Sequence, residues 1–226
     1  MENWLSFCLS RMPPLNIDAK IVIVGTTRIG KSMQQIQFAR RITSAKNMIN
    51  LGAADKILIK SNYSTENIIY SQKQSIDHYK KFTNSVLSFD ETYLTMDRRE
   101  AMAQGNINVT RYLDIFASQL NITFALAQDL TDLDQRVINK ATALILDYER
   151  GGGLLFAKGR SFPIIKQTFD FDRLQKYPRM LRDKKIGIHN LKKVMGYIGK
   201  ITWDDEPHNL LYMTHVEYKK MWQQKL

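Results

Sequence analysis

Apolar positions in this chain fall into short β-branched runs separated by stretches with helical spacing. Ile21-Val22-Ile23-Val24 ends at Gly25, and a run of that make-up predicts a buried strand. Met33, Ile36, Ala39 and Ile42 recur at intervals of three, which predicts a helix from Lys31 onward with one face toward a core. Asp55-Lys56-Ile57-Leu58-Ile59-Lys60 is a candidate second strand. The polar Ser61-Asn62-Tyr63-Ser64-Thr65 ends it and caps a helix whose apolar face holds Ile69, Ile76, Tyr79 and Phe82. Val86-Leu87-Ser88-Phe89 reads as a further strand with a polar interruption at Ser88. Val109, Tyr112, Leu113, Phe116 and Leu120 line another helix behind a cap at Asn108, and Asn121-Ile122-Thr123-Phe124-Ala125-Leu126-Ala127 is a fourth strand.

Asp132 to Ile138 begins a short helix or turn. Residues 142–148 and 154–157 flank Glu149-Arg150-Gly151-Gly152-Gly153, which predicts a β-hairpin with a flexible tip. Val137, Ala141, Leu144 and Tyr148 also fit a helical period, and the hairpin is the preferred of the two readings. Residues 1–18 form a short amphipathic lead closed by Pro13-Pro14. The tail from Trp203 to Leu226 carries enough apolar and aromatic residues to dock as a small helical appendage. Strands alternating with helices predict the α/β class: a three-layer sandwich around a mainly parallel sheet, with a β-hairpin extension.

The chemistry begins where the first strand ends. Gly25-Thr26-Thr27-Arg28-Ile29-Gly30-Lys31-Ser32 has the spacing of a phosphate-binding P-loop, placed between a strand and a helix as that motif requires. Two glycines let the backbone wrap a polyphosphate so that successive N–H groups and the helix N-terminus face its negative charge. Lys31 is expected to neutralise the β- and γ-phosphates of ATP, and the Ser32 hydroxyl to ligate Mg²⁺. The Val86 to Phe89 run leads into Asp90-Glu91. In that position Asp90 is expected to hold Mg²⁺ through water, and Glu91 to polarise the attacking water. Gln128 stands at the carboxyl end of the fourth strand, where open α/β sheets place ligand contacts, and is expected to sense the γ-phosphate or the water.

Composition changes this picture in one respect. The chain has 226 residues, enough for one α/β domain, and its 33 Lys and Arg against 22 Asp and Glu give a net charge of +11. An acidic partner such as nucleic acid or an anionic membrane follows from that imbalance. From Arg173 to Lys200, nine basic residues face a single acid, Asp183. With Tyr177, Ile186, Ile188 and Tyr197 among them, they suit a surface that tracks phosphates without reading bases. The expected division is therefore a core over residues 1–172 and a basic C-terminal appendage over residues 173–226. One cysteine, Cys8, excludes an internal disulfide, and no apolar run reaches the roughly 18 residues of a transmembrane helix. An intracellular protein is expected. His78, His189, His208 and His215 have no metal-site spacing, and no Gly-x-Ser-x-Gly elbow is present.

Taken together, the P-loop, the strand ending in Ser88-Phe89-Asp90-Glu91, the following Thr95-Met96-Asp97-Arg98-Arg99-Glu100, the strand ending in Gln128 and the trailing Asp132-Leu133-Asp134-Gln135-Arg136 resemble the FtsK/HerA superfamily of DNA-pumping ATPases. Within it the likeness is to the compact genome-packaging ATPases of membrane-containing viruses, over residues 18–170. The resemblance implies a RecA-like P-loop NTPase fold, with nucleotide contacts at Gly25, Gly30 and Lys31, Mg²⁺ at Ser32 and Asp90, water activation at Glu91 and sensing at Gln128. It further implies a homo-oligomeric ring, usually a hexamer, with double-stranded DNA in the pore and ATP between subunits, at work in the host cytoplasm or the virion, near a capsid or inner membrane. An arginine finger from the neighbouring subunit would belong to such a ring. Relatives carry an arginine before the sensor strand where this chain has Phe116-Ala117-Ser118-Gln119. Arg98 and Arg99 are favoured instead, with Arg111 and Arg136 as further candidates. Two rival readings share the P-loop: a nucleotide-kinase-type phosphotransferase, and an ATPase of a conjugation or secretion machine.

Overall fold

β1 (Ala19–Val24) is buried along almost its whole length, as an apolar β-branched run with no exposed face must be. In the computed structural model, residues 19–44, 67–69, 77–78, 80–81, 85–90, 121–133, 135–157 and 197–203 are described, with isolated positions between 176 and 190 and at 216, 217 and 220. The other strands are β2 (Ile68–Ile69), β3 (Val86–Phe89), β4 (Ile122–Ala127), β5 (Ala143–Glu149), β6 (Gly152–Ala157) and β7 (Tyr197–Thr202). Among the described residues, the α-helices α1 (Lys31–Ser44) and the short α2 (Gln135–Lys140) accompany them.

Among the described residues the seven strands form one open sheet in the order β2-β3-β4-β1-β5-β6-β7. Every pairing from β2 across to β5 is parallel; β6 and β7 extend the sheet antiparallel. This is the α/β architecture expected, and the hairpin reading of residues 142–157 holds, with Arg150 and Gly151 at its turn.

Strand alternation sorts the core into two layers. Ala19, Ile21 and Ile23 face one side with Phe124, Ile145 and Leu155, and α1 covers them with Met33, Ile36, Phe38, Ala39 and Ile42. The Phe38 and Phe124 rings stack with centroids 6.4 Å apart. Val22 and Val24 face the opposite side with Phe89, Leu144, Leu146 and Phe156, against Leu133, Val137, Ile138 and Ala141 around α2. The sheet is thus sandwiched as the three-layer class requires.

Two elements depart from expectation. Helical spacing puts Ile69 on a helix face, yet it lies in β2, paired with Phe89 while Ile68 pairs with Ser88. Two adjacent β-branched residues are buried beside the edge of β3, and Asn67 donates to the Val86 carbonyl at 3.0 Å to fix the register. Among the described residues between β2 and β3, α-helical ones are found at 77–78 and 80–81. The second departure concerns Tyr197, expected on a basic surface, and Trp203, expected in a helical tail. Residues 197–202 form β7 against β6, and Trp203 is buried in the α1 layer. The expected strand at 55–60 and the helix at 109–120 lie outside the described residues.

Candidate active site

Register decides which side chains meet. β1 is paired so that Val24 stands beside Ala127 of β4 on one flank and Leu146 of β5 on the other. One residue further on, Gly25, Gln128 and Asp147 therefore emerge at the same level of the carboxyl edge. Gly25 N–H donates to the Ala127 carbonyl at 3.2 Å, carrying the β1–β4 pairing into the loop. Phe89 of β3 pairs with Ala125, so Asp90 leaves its strand close by.

The loop over residues 25–32 is shaped by its glycines. A side chain at Gly25 would have its Cβ 2.8 Å from the Asp147 Cβ and 2.9 Å from the Ile29 Cγ2, closer than carbon atoms approach. Gly30 has φ +107°, a conformation that L-residues rarely adopt, and passes 3.3 Å (Cβ position) from the Trp203 indole nitrogen. Gln34 N–H donates to the Gly30 carbonyl at 2.9 Å, so the first turn of α1 follows directly and its N-terminal amides face the loop. Ile29 is tucked inward, whereas Thr26, Thr27 and Arg28 are exposed, Arg28 with φ 65°.

Lys31 donates from its Nζ to the carbonyls of Gly25 at 2.5 Å and Thr26 at 3.0 Å. Its positive charge is thereby held against the loop at the N-terminus of α1, where anions are favoured. Ser32 Oγ donates to Asp90 Oδ1 at 3.2 Å, and Asp90 is only 4% exposed. A hydroxyl and a carboxylate side by side are hard oxygen donors, the kind Mg²⁺ takes one or two of beside phosphate and water. Ser32 and Asp90 therefore fit that ion, although no cluster of three or more His, Cys, Asp or Glu is found among the described residues. Thr27 Oγ1 donates to Gln128 Oε1 at 3.0 Å, tying the loop to the end of β4.

Of the side chains singled out in the sequence, the structure brings together Thr27, Lys31, Ser32, Asp90 and Gln128 around one loop. Glu91, Arg98, Arg99 and Arg111 lie outside the described residues, and Arg136 belongs to α2. Part of the C-terminal positive charge is matched internally. Lys200 lies 3.3 Å from Glu149 and 5.5 Å above the Tyr148 ring, and Asp183 has Arg179 and Lys185 each at 3.9 Å.

Three neighbours of the loop carry no motif. Asp147, 2% exposed, accepts a hydrogen bond from Gln34 Nε2 at 3.2 Å. Burial pushes its carboxyl well above the usual carboxylate range, against the Gln34 hydrogen bond and the Lys31 charge, which pull it down. Trp203 is the third, with its indole edge on Gly30. The only hint of Asp147 in the sequence is an acid inside the apolar run Ala143-Leu144-Ile145-Leu146-Asp147-Tyr148.

No family model matches this chain, and no curated protein matches it by sequence. Solved structures do. The genome packaging NTPase from Sulfolobus turreted icosahedral virus 2 in complex with ATP-gammaS is 17% identical, with a TM-score of 0.43, over 62% of this chain and 92% of that one. The N-terminal domain of zonular occludens toxin from Neisseria meningitidis is 17% identical, with a TM-score of 0.42, over 66% of this chain and 88% of that one. The FIGL-1 AAA domain is 11% identical, with a TM-score of 0.42, over 96% of this chain and 76% of that one.

Proposed function

We propose that the chain is an ATP-hydrolysing motor that moves double-stranded DNA, in the service of packaging a viral genome. The observation that carries the nucleotide half is the meeting of Lys31, Ser32, Asp90 and the Thr27–Gln128 pair at one carboxyl edge of a parallel sheet. Gly25, Gly30 and the amides of residues 26–32 cradle the triphosphate, and Lys31 exchanges its loop carbonyls for phosphate oxygens. Ser32 and Asp90 would hold Mg²⁺, which would offset charge on the phosphates. Glu91, the residue after Asp90, takes the proton of the attacking water, and Gln128 orients that water or the γ-phosphate. Thr27 holds the Gln128 oxygen, which leaves the amide N–H groups free to face the acceptor oxygens of the nucleotide.

The DNA half is supported by the sequence resemblance and by the excess of basic residues from Arg173 to Lys200. Contacts of that kind grip the phosphate backbone, so base sequence matters little and salt matters much. The ring, with Arg98 or Arg99 reaching the neighbour's ATP, belongs to the same proposal. ATP turnover measured with duplex DNA, single strands, no DNA and a nucleoside monophosphate tests it. Turnover should rise several-fold with duplex of any sequence and fall away in Lys31→Ala and Glu91→Gln. Turnover that ignores every DNA and rises with the monophosphate would instead identify a phosphotransferase.

A further inference from the structure

Beneath the phosphate loop lies a buried acid that the hydrolytic scheme does not use. Asp147 stands on β5 directly beside Gly25, on the α1 side of the sheet, with Gln34 of α1 against it. The packing there is close on two sides. A Cβ at Gly25 would reach the Asp147 Cβ, and one at Gly153 of β6 would come within 2.6 Å of Asp147 Oδ1. Gln34 is fully buried, and one of its amide hydrogens goes to Asp147 Oδ1. The other ends of the two groups, Gln34 Oε1 and Asp147 Oδ2, are also buried and have no hydrogen-bond partner among the described residues.

Two acceptors left over on a pair that already shares one hydrogen bond are a mismatch for a carboxylate, which only accepts. They are a match for a carboxylic acid. With a proton on Oδ2, the acid donates to the amide oxygen while the amide donates to Oδ1, and both buried acceptors are satisfied at once. We propose that Asp147 is a neutral carboxylic acid paired at two points with the Gln34 amide, and that this pair is a positioning device for the phosphate loop.

The charged surroundings agree. Among the described residues, Lys31 is the charged group whose field reaches Asp147 from the loop and α1, and its Nζ is bonded to the Gly25 and Thr26 carbonyls. Gln34 of α1 and Gly153 of β6 carry no charge, Ile201 of β7 packs beside Gly153, and Glu149 of β5 is matched with Lys200 of β7. An ionised Asp147 would put a negative charge under the triphosphate. A neutral one does not, and burial favours that form. In its functional half the inference rests on the nucleotide reading above; the protonation state does not.

The sign of the pH dependence follows by linkage. The folded chain keeps this proton above the pH at which the unfolded chain gives it up. The stabilisation is complete below the unfolded carboxyl's pKa and is lost as pH rises toward the raised folded value. Asp147→Asn keeps the shape and the two-point pairing without needing a proton. Its melting temperature should match wild type near pH 4 and exceed it by about 2–4 °C at neutral pH. An infrared difference spectrum of wild type minus Asp147→Asn at pH 7 should show a protonated carboxyl band. A carboxylate band there, or an Asp147→Asn variant less stable than wild type at neutral pH, would overturn the assignment. For the positioning role, Asp147→Ala should weaken binding of a non-hydrolysable ATP analogue about tenfold, with Asp147→Asn restoring it. Equal affinity in Asp147→Ala and wild type would overturn that role. A wild-type chain that shows the acid band but binds no nucleotide would leave the neutral acid standing and sink the motor reading alone.

Discussion

Lys31 and Gln128 reach the same loop from different directions, one from the start of a helix and one from the end of a strand. Lys31 is bonded to the Gly25 and Thr26 carbonyls, and Gln128 is joined to the loop through Thr27, whose hydroxyl is bonded to Gln128 Oε1. A glutamine amide can present either its oxygen or its nitrogen to a ligand, and a fixed partner on the oxygen selects the nitrogen. Thr27→Val and Gln128→Leu should therefore each lower kcat, and a double-mutant cycle on kcat should show the two losses to be coupled by about 0.5 kcal/mol or more. Strictly additive losses would mean that the pair does not act together. Asp90 and Ser32 have the same relation, with one hydrogen bond joining residues 58 positions apart in the chain.

At the scale of elements, α1 ties the loop to the core. Its apolar positions Met33, Ile36, Phe38, Ala39 and Ile42 are all nearly inaccessible, and Phe38 stacks on Phe124 of the strand that ends in Gln128. Phe38→Ala should cost about 3–5 kcal/mol of stability, read as a shifted denaturant midpoint, because it empties the contact between α1 and β4. The regular elements were legible in the sequence: β1, β3 and β4 are largely apolar runs, α1 carries apolar residues at intervals of three, and the β5–β6 hairpin has a turn marked by glycines. β2 was not, because Ile68 and Ile69 make a strand too short to show a period of two, and Ile69 happens to fit a helical spacing further on. β7 was hidden for another reason. Its alternation of buried Gly199 and Ile201 with partly exposed Lys200 and exposed Thr202 is short and lies in a basic stretch whose charge dominates the reading. The site divided the same way. Asp90 and Gln128 stand at strand ends, where polarity after an apolar run is visible, whereas Asp147 and Gln34 acquire their relation only when β5 and α1 pack together.

For the whole molecule, the sheet's polarity sets the geometry of the work. β1, β3, β4 and β5 run parallel, so their carboxyl ends deliver Gly25, Asp90, Gln128 and Asp147 to one edge. Trp203, following β7, lies against Gly30, and its backbone N–H donates to the Gly151 carbonyl at the hairpin turn. The segment that follows the basic stretch is in this way part of the loop's own wall, a direct physical connection between the C-terminal region and the proposed nucleotide site. None of the described helices is long and apolar enough to cross a membrane. Motion along duplex DNA is the central claim, and displacement of a third strand from a triplex-bearing duplex reads it directly. Wild type with MgATP should strip the third strand at a rate that falls steeply with added salt, and Lys31→Ala should strip none. ATP hydrolysis by the wild-type chain with the third strand left in place would contradict it.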